Sequence, residues 1–578
     1  MKRLSTIITV ISLCAFCVVI GLPQSSSAQH DKDYETIFNK ANLDGWKMQW
    51  SGLWSVENGV LTGKQDPATG KDSWLFTEKV WDDFALYAEF KMTPNCNSGI
   101  GVRMPKKKVG RPSEFGYEIQ ISDNHKEYPT GSIFRHQVAS KNLHHKDWNV
   151  MHINCVKDHI VVYVNKIKVV DTHLDGSKKG RIGLQVHGGE DLKDQVVQFR
   201  NIRIKDLKPQ YQCEPSPIKF KNHQIGTEGS EGCAIADINR DGKLDITCGS
   251  YWYEAPEWNK HKLRDCGMSG EYTLNYGEWS MDVNRDGWPD VVTGSWMSPN
   301  MVWYENPGEK DNGELWKEHI IGTGLNNTES IFLCDVDYDG RQDILVNRYD
   351  TTVPPCYYAN VGFDKSETGF EKRIFGWEGR GHGMGLGDIN SDGRNDVLTS
   401  SGWYECPLDP QTQDWVWHPD YKNHDSSIPQ IVNDLNLDGL PDIIYGNGHN
   451  FGLCWLEQTL DSSGRRAWIF PHVIDDSYSQ VHCPILIDLD GDGTSDIISG
   501  KRYRGHNGGD PGAMEPQCIF WYKVKKGPSP KFTRYIVTYD ENIGMGMNSQ
   551  AADIDNDGDI DIIAPGKSGL NFIENLSK

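Results

Sequence analysis

Seven copies of one acidic loop, D-x-[DN]-x-D-G-x-x-D, begin at Asp237, Asp282, Asp335, Asp388, Asp434, Asp488 and Asp553, 45 to 65 residues apart. Oxygen ligands at alternate positions and a glycine at a sharp bend are what a hard cation such as Ca²⁺ needs from a short loop. One copy carries little weight, but seven intact copies define a repeat architecture. The expected ligands are Asp237, Asn239, Asp241 and Asp245; Asp282, Asn284, Asp286 and Asp290; Asp335, Asp337, Asp339 and Asp343; Asp388, Asn390, Asp392 and Asp396; Asp434, Asn436, Asp438 and Asp442; Asp488, Asp490, Asp492 and Asp496; and Asp553, Asp555, Asp557 and Asp561. Up to seven structural Ca²⁺ ions are therefore expected.

After each loop comes a short β-branched run such as Val291-Val292-Thr293 or Ile562-Ile563, then an aromatic run such as Trp303-Tyr304-Glu305, then a third strand-like run such as 316–320. With the strand that enters the loop, this makes four strands per repeat, the blade of a β-propeller, and seven loops predict seven blades. The chain enters with an isolated outer-type strand at 218–225 and ends with the matching strand missing. The first strand is thus expected to complete the last blade and hide its edge. These repeats resemble the FG-GAP and VCBS calcium-loop propellers over about residues 213–578. The resemblance implies a propeller at 218–578 and says little about function, because such folds serve many ends.

One register in the repeats points to chemistry. Six residues before each first Asp stand Glu231, Tyr276, Glu329, His382, Ile428, His482 and Met547. At the start of each innermost strand they would ring one mouth of a central channel. Glu231, Glu329, His382 and His482 are the candidate metal or sugar site there, with Asn548 and Trp279 nearby.

Residues 33–207 lack the loop and instead alternate with period two: Phe84-x-Leu86-x-Ala88-x-Phe90, Tyr117-x-Ile119-x-Ile121, Ile160-x-Val162-x-Val164 and Ile182-x-Leu184-x-Val186. Many such strands with Gly and Asp turns predict a two-sheet sandwich. The chain as a whole is therefore expected to be all-β. The polar partners in the alternation are dense in directional groups: Glu118, Gln120, Gln185 and His187, with Arg103 ending the small-residue strand that starts at Asn97.

The segments FNKANLDGW (38–46), GLWSVENGVLTG (52–63), NSGIGVR (97–103), GYEIQISD (116–123), IGLQVHGG (182–189) and FRNIRIKDL (199–207) resemble the 3-keto-disaccharide hydrolase family. The resemblance implies a concanavalin-like jelly roll over 33–207, followed by a linker at 208–217. It also implies action on 3-keto-glycosides, with Arg103, Glu118, Gln120, Asp123, Gln185 and His187 at the matching polar positions. One departure is Lys166, where the family usually has Gly after Asn.

A C3 ketone acidifies the proton on C2, so a base can remove it while the C1 substituent leaves, and water can then re-add. That chemistry needs a base, an enolate donor and an acid. His187 is the expected base, Arg103 or a bound cation the enolate stabiliser, and Glu118 the acid or a second base, with the roles of His187 and Glu118 open to exchange. Asn97, Gln120, Asp123 and Gln185 are the expected sugar-binding groups. Two other readings stay open: a non-catalytic glycan-binding or cell-surface protein on a propeller scaffold, and lyase or dehydratase chemistry in the propeller channel.

Length, charge and the N-terminus set the outer bounds. At 578 residues the chain exceeds one core. Lys2 and Arg3, an apolar run at 7–22 and the small-residue stretch Ser26-Ser27-Ala28 read as a secretory signal at 1–28. Its removal takes away two positive charges and no acids, so the formal charge passes from −22 to −24. A secreted, periplasmic or cell-surface location is expected, with an oligosaccharide or glycoside partner and no membrane span. Nucleic acid is not an expected partner, since that requires a basic face. Twelve scattered cysteines remain, and the sequence leaves both buried thiols and bridges open.

Overall fold

The computed structural model describes residues 33–578 except 107–111, 123, 144, 326, 350–352, 380, 424–425 and 470. The expected signal at 1–28 and the expected sugar contact Asp123 lie outside the described residues.

The period-two runs of the first half become two stacked antiparallel sheets. One has eight strands: Ile167–His173, His159–Val164, Asn149–Val156, Phe84–Met92, Val196–Asp206, Val60–Gln65 and Gly52–Glu57 in that order, with Glu35–Thr36 also pairing with Val196–Asp206. The other has five: Trp46–Gln49, Ser73–Thr77, Arg181–Val186, Asn97–Met104 and Tyr117–Ser122. Phe84, Leu86, Ala88 and Phe90 from the first sheet share one core with Ile100, Val102, Ile119, Ile121 and Leu184 from the second. Each inward residue leaves its neighbours on the opposite face of the sheet.

Strand Asn97–Met104 breaks that alternation. Gly101 pairs with Gly183 but Met104 pairs with Arg181, so three residues advance on one strand against two on the other. Arg103 absorbs the extra residue with φ 53. This is a β-bulge, and it re-aims the side chains that follow it.

In the second half the described residues form seven four-stranded antiparallel sheets, one for each acidic loop. Six use consecutive segments, within 233–262, 277–323, 331–374, 384–418, 431–479 and 485–539. The seventh joins Gln550–Ala552, Asp561–Gly566 and Gly569–Asn575 to the early strand Phe220–Gly226. First strands of neighbouring sheets touch, including Cys233–Ala236 with both Gly277–Met281 and Gln550–Ala552. A parallel bridge pairs Gly232, just before Cys233–Ala236, with Asn548, just before Gln550–Ala552.

The halves are packed together. Ala85, Val156 and Leu207 of the sandwich share a core cluster with Phe520 and Tyr522 of the repeats. Buried Lys205 binds buried Glu515 at 3.0 Å, and His159 bridges Asp171 (2.8 Å) and Asp540 (2.9 Å). The expected linker contains the short helix Lys208–Tyr211, whose buried Gln210 donates to the Ser477 carbonyl at 2.8 Å. All twelve described cysteines are free thiols. Among the described residues no helix is long and apolar enough to cross a membrane.

Candidate functional site

The outer face of the five-stranded sheet carries the pocket. Tyr117–Ser122 places Glu118 and Gln120 opposite its core residues, and Gln185 and His187 follow from Arg181–Val186 and its exit. Asn97, Glu118, Gln120, Gln185 and His187 all line one cavity of about 80 Å³. Asp72, Trp74, Ser113, His125 and Phe134, none of them expected from the sequence, line it too. Trp74 lies beside Gln185 in the strand ladder, and neither its strand nor its pairing was among the sequence expectations. Gly99 matters here because a β-carbon on it would lie 2.9 Å from both Cγ and Oε1 of Glu118. The missing side chain lets the glutamate lie against the neighbouring strand.

Glu118 is almost completely buried, and its carboxyl is pushed up to about 8, chiefly by loss of solvation and then by the nearby charge of Asp72. Gln185, Ser113 and the charge of Arg135 oppose the rise without cancelling it. At neutral pH this group is a protonated acid with a proton to give. His187 donates from Nδ1 to the Gly188 carbonyl at 2.7 Å, with Asp72 Oδ1 3.5 Å away. Asp72 in turn accepts the Gly188 N–H at 2.7 Å. With the Nδ1 proton held this way, neutral His187 keeps its lone pair on Nε2 and is a base. Gln120 donates to Asn97 Oδ1 at 3.3 Å, and Gln185 Oε1 is buried with no hydrogen-bond partner.

Arg103 is not part of this wall. The expectation placed it beside Glu118 by counting alternation, but the bulge turns it away. It is fully buried and donates to the Asp82 carbonyl (3.2 Å), the Lys157 carbonyl (2.5 Å) and Asp83 Oδ1 (3.1 Å). Met104 clusters with Trp74 and Phe76 instead. Arg103 is a structural clamp.

The channel register partly holds. Tyr276, Glu329 and His382 line one cavity of about 410 Å³, while Ile428 and Met547 line another of about 410 Å³ together with Trp279 and Asn548. Glu329, His382 and His482 converge, and His449, which the register did not include, joins them. Glu231 does not join. Both its oxygens are held by Arg502, at 2.7 and 2.8 Å. Burial alone would raise Glu231, but the guanidinium holds its carboxyl below the usual range.

The seven loops share one geometry. The sixth-position glycines have φ between 83 and 92, and each donates its N–H to the first Asp at 2.8–3.1 Å. In the three loops with Asp at the third position, the first, third and fifth carboxylates gather: Asp335, Asp337 and Asp339; Asp488, Asp490 and Asp492; Asp553, Asp555 and Asp557. The ninth-position carboxylates have a second task. Asp245 accepts the N–H groups of Ile238 (3.0 Å) and Ala255 (2.9 Å), and Asp290, Asp343, Asp396, Asp442 and Asp561 repeat the pattern. Asp496 accepts from Val524. These groups tie each loop to a later strand, a bond that the loop motif by itself does not reveal.

Comparison with known proteins adds to this geometry. Residues 33–205 match the 3-keto-alpha-glucoside-1,2-lyase-like domain. An FG-GAP-like repeat matches at 282–346, so the two follow the order of sandwich and loops. The first of these models is of a carbohydrate-active type of domain, and it covers the sandwich alone. A 185-residue stretch is 28% identical to Protein linkin of Caenorhabditis elegans, spanning 28% of this chain and only 30% of that protein's length. Two solved structures of inferred glycosyl hydrolases from Parabacteroides distasonis ATCC 8503 are similar at 22% and 28% identity. They cover 32% and 30% of this chain and 98% and 99% of their own, with TM-scores of 0.26 and 0.25.

Proposed function

We propose that this protein is a secreted enzyme whose lyase-like domain cleaves 3-keto-glycosides by elimination. His187 Nε2 takes the C2 proton, that electron pair forms a C1–C2 double bond, and the C1–oxygen bond breaks. Glu118 gives its proton to the departing oxygen. The Asn97–Gln120 amide pair replaces Arg103 as the donor set for the enolate oxygen, since a neutral donor there also stabilises developing charge. Water added across the double bond then returns the 3-keto sugar. The observation that carries this reading is a buried, protonated Glu118 on the same wall as a His187 whose Nδ1 is already committed. The cavity of about 80 Å³ suits the reacting edge of one ring, with the leaving group outside.

The seven sheets are read as a closed seven-bladed propeller with Ca²⁺ in its loops. The shared outer strand Phe220–Gly226 and a cavity lined from five of the sheets support this. The test is turnover of a 3-keto-glucoside by the full chain, with and without Ca²⁺ chelation. His187→Ala and Glu118→Gln should each cost about 10²–10⁴-fold in kcat, the usual share of a positioned acid or base. Full activity in both variants overturns the assignment. Saturable glycan binding without turnover favours the non-catalytic reading.

A further inference from the structure

Three imidazoles meet one carboxylate at the floor of the aromatic cavity in the repeats. Glu329, His382 and His482 each stand just before the first strand of a different sheet, and His449 comes from the loop between Asp442–Gly446 and Phe451–Leu456 of a fourth. Their ligand atoms all lie within 4.8 Å of one another. His382 Nε2 is 2.7 Å from Glu329 Oε2 and 2.7 Å from His449 Nε2, and His482 Nε2 is 3.8 Å from Glu329 Oε1.

The outer nitrogens show which way each ring faces. His382 Nδ1 donates to the Ser426 carbonyl at 3.0 Å, His449 Nδ1 to Asp510 Oδ2 at 3.0 Å, and His482 Nδ1 to the Gln480 carbonyl at 3.3 Å. Each ring thus spends its proton outward on an oxygen acceptor and turns Nε2 inward. An imidazole that ligates a metal is oriented this way, its second nitrogen bound to a carbonyl or carboxylate. Three inward Nε2 atoms and a carboxylate oxygen thus face one another within 4.8 Å, a donor set that calls for positive charge. Arg502 supplies little, since its Nη1 is 3.4 Å from His482 Nε2 and its charge is taken by Glu231. The protein also makes room for the cluster, because a β-carbon on Gly448 would lie 2.8 Å from His382 Cε1 and 3.1 Å from His482 Nε2.

We infer that Glu329, His382, His449 and His482 form a site for one zinc-class divalent transition-metal ion, distinct from the oxygen-only acidic loops. Imidazole-rich donor sets select Zn²⁺ and its neighbours over Ca²⁺. Glu329, His382 and His449 border the cavity, whose walls include Tyr272, Tyr276, Trp296 and Tyr349. The ion therefore borders a chamber in which water or an oxygen-bearing ligand can reach it. Asp510 is a positioning residue for His449, shared with the exposed His506 at 2.8 Å.

The test uses the full chain stripped with chelator and returned to excess Ca²⁺, so that the acidic loops are filled. Co²⁺ is then titrated and its visible absorption followed, with bound Zn²⁺ counted by elemental analysis. One Zn²⁺ per chain and an intense Co²⁺ band of low coordination number are expected. Glu329→Gln and His449→Gln, which keep side-chain volume, should abolish the band while far-ultraviolet dichroism stays unchanged. Asp510→Asn should weaken Co²⁺ binding by about 10–100-fold with the band position retained. No bound transition metal, or a band that survives in Glu329→Gln and His449→Gln, overturns the site.

Discussion

Glu118 in the sandwich and Glu231 in the repeats are equally hidden from water, yet their carboxyls move in opposite directions. Glu118 has amides and a hydroxyl around it and a second carboxylate nearby, so burial wins and the group stays protonated. Glu231 has the Arg502 fork on both oxygens, so the pair wins and the group stays ionised. Depth alone therefore does not set the charge of a buried acid. The partner sets it, and the partner is what separates a proton donor from a structural ion pair.

Removing the partner puts this contrast under the most strain. Arg502→Met should destabilise the full chain by about 3–5 kcal/mol, because it leaves a buried charge uncompensated. Adding Glu231→Met should restore most of that loss, as replacing both members of a buried pair with apolar groups is often neutral. Urea denaturation of the two variants reads both numbers. A double variant as weak as the single one would mean that packing around Tyr272 and Tyr276, not charge, holds the junction.

The next effect is smaller and depends on pH. Below about 4.5 Glu118 is protonated in both folded and unfolded chains, and it contributes no difference. Between that value and about 8 the unfolded chain ionises while the folded one does not, so folding loses stability as pH rises. Above about 8 the loss is complete. Glu118→Gln removes it, so the variant should gain on the parent from mildly acid to mildly alkaline pH. A tenfold change in an ionisation constant is worth about 1.4 kcal/mol, so even half of this rise gives about 2 kcal/mol. Thermal midpoints across that pH range check the trend, and a constant offset would show that Glu118 ionises in the folded protein.

Sequence legibility differed between the two regions for a physical reason. The loops were read position by position because a turn with a glycine near φ 90 imposes its own residue types. The early strand of the last sheet followed from counting strands, and Phe220–Gly226 does pair with Gly569–Asn575. In the sandwich, alternation located Glu118, Gln120, Gln185 and His187 because unbroken strands keep their period. It failed at Arg103, where one extra residue shifted everything after it. His449, Arg502 and Asp72 were invisible for another reason. They sit on connections and outside the counted register, and only the packing of separate sheets brings them to their sites.

The smallest effect tests the turn where the two regions meet. Asn165 and Lys166 both have positive φ, 50 and 69, in the two-residue turn between His159–Val164 and Ile167–His173. Such a turn favours Asn then Gly, so Lys166 sits in a conformation that costs an ordinary side chain roughly 1–2 kcal/mol. Its carbonyl accepts a hydrogen bond from the Arg504 guanidinium of the repeats, a bond that needs no side chain at 166. Lys166→Gly should therefore keep the junction and gain somewhat less than about 1 kcal/mol, since glycine also loosens the unfolded chain. Lys166→Ala, with no relief of the backbone, should gain nothing. If Lys166→Gly instead lowers the thermal midpoint, the lysine side chain itself binds across the junction, and its presence where the resembling family has glycine is a contact between the two regions.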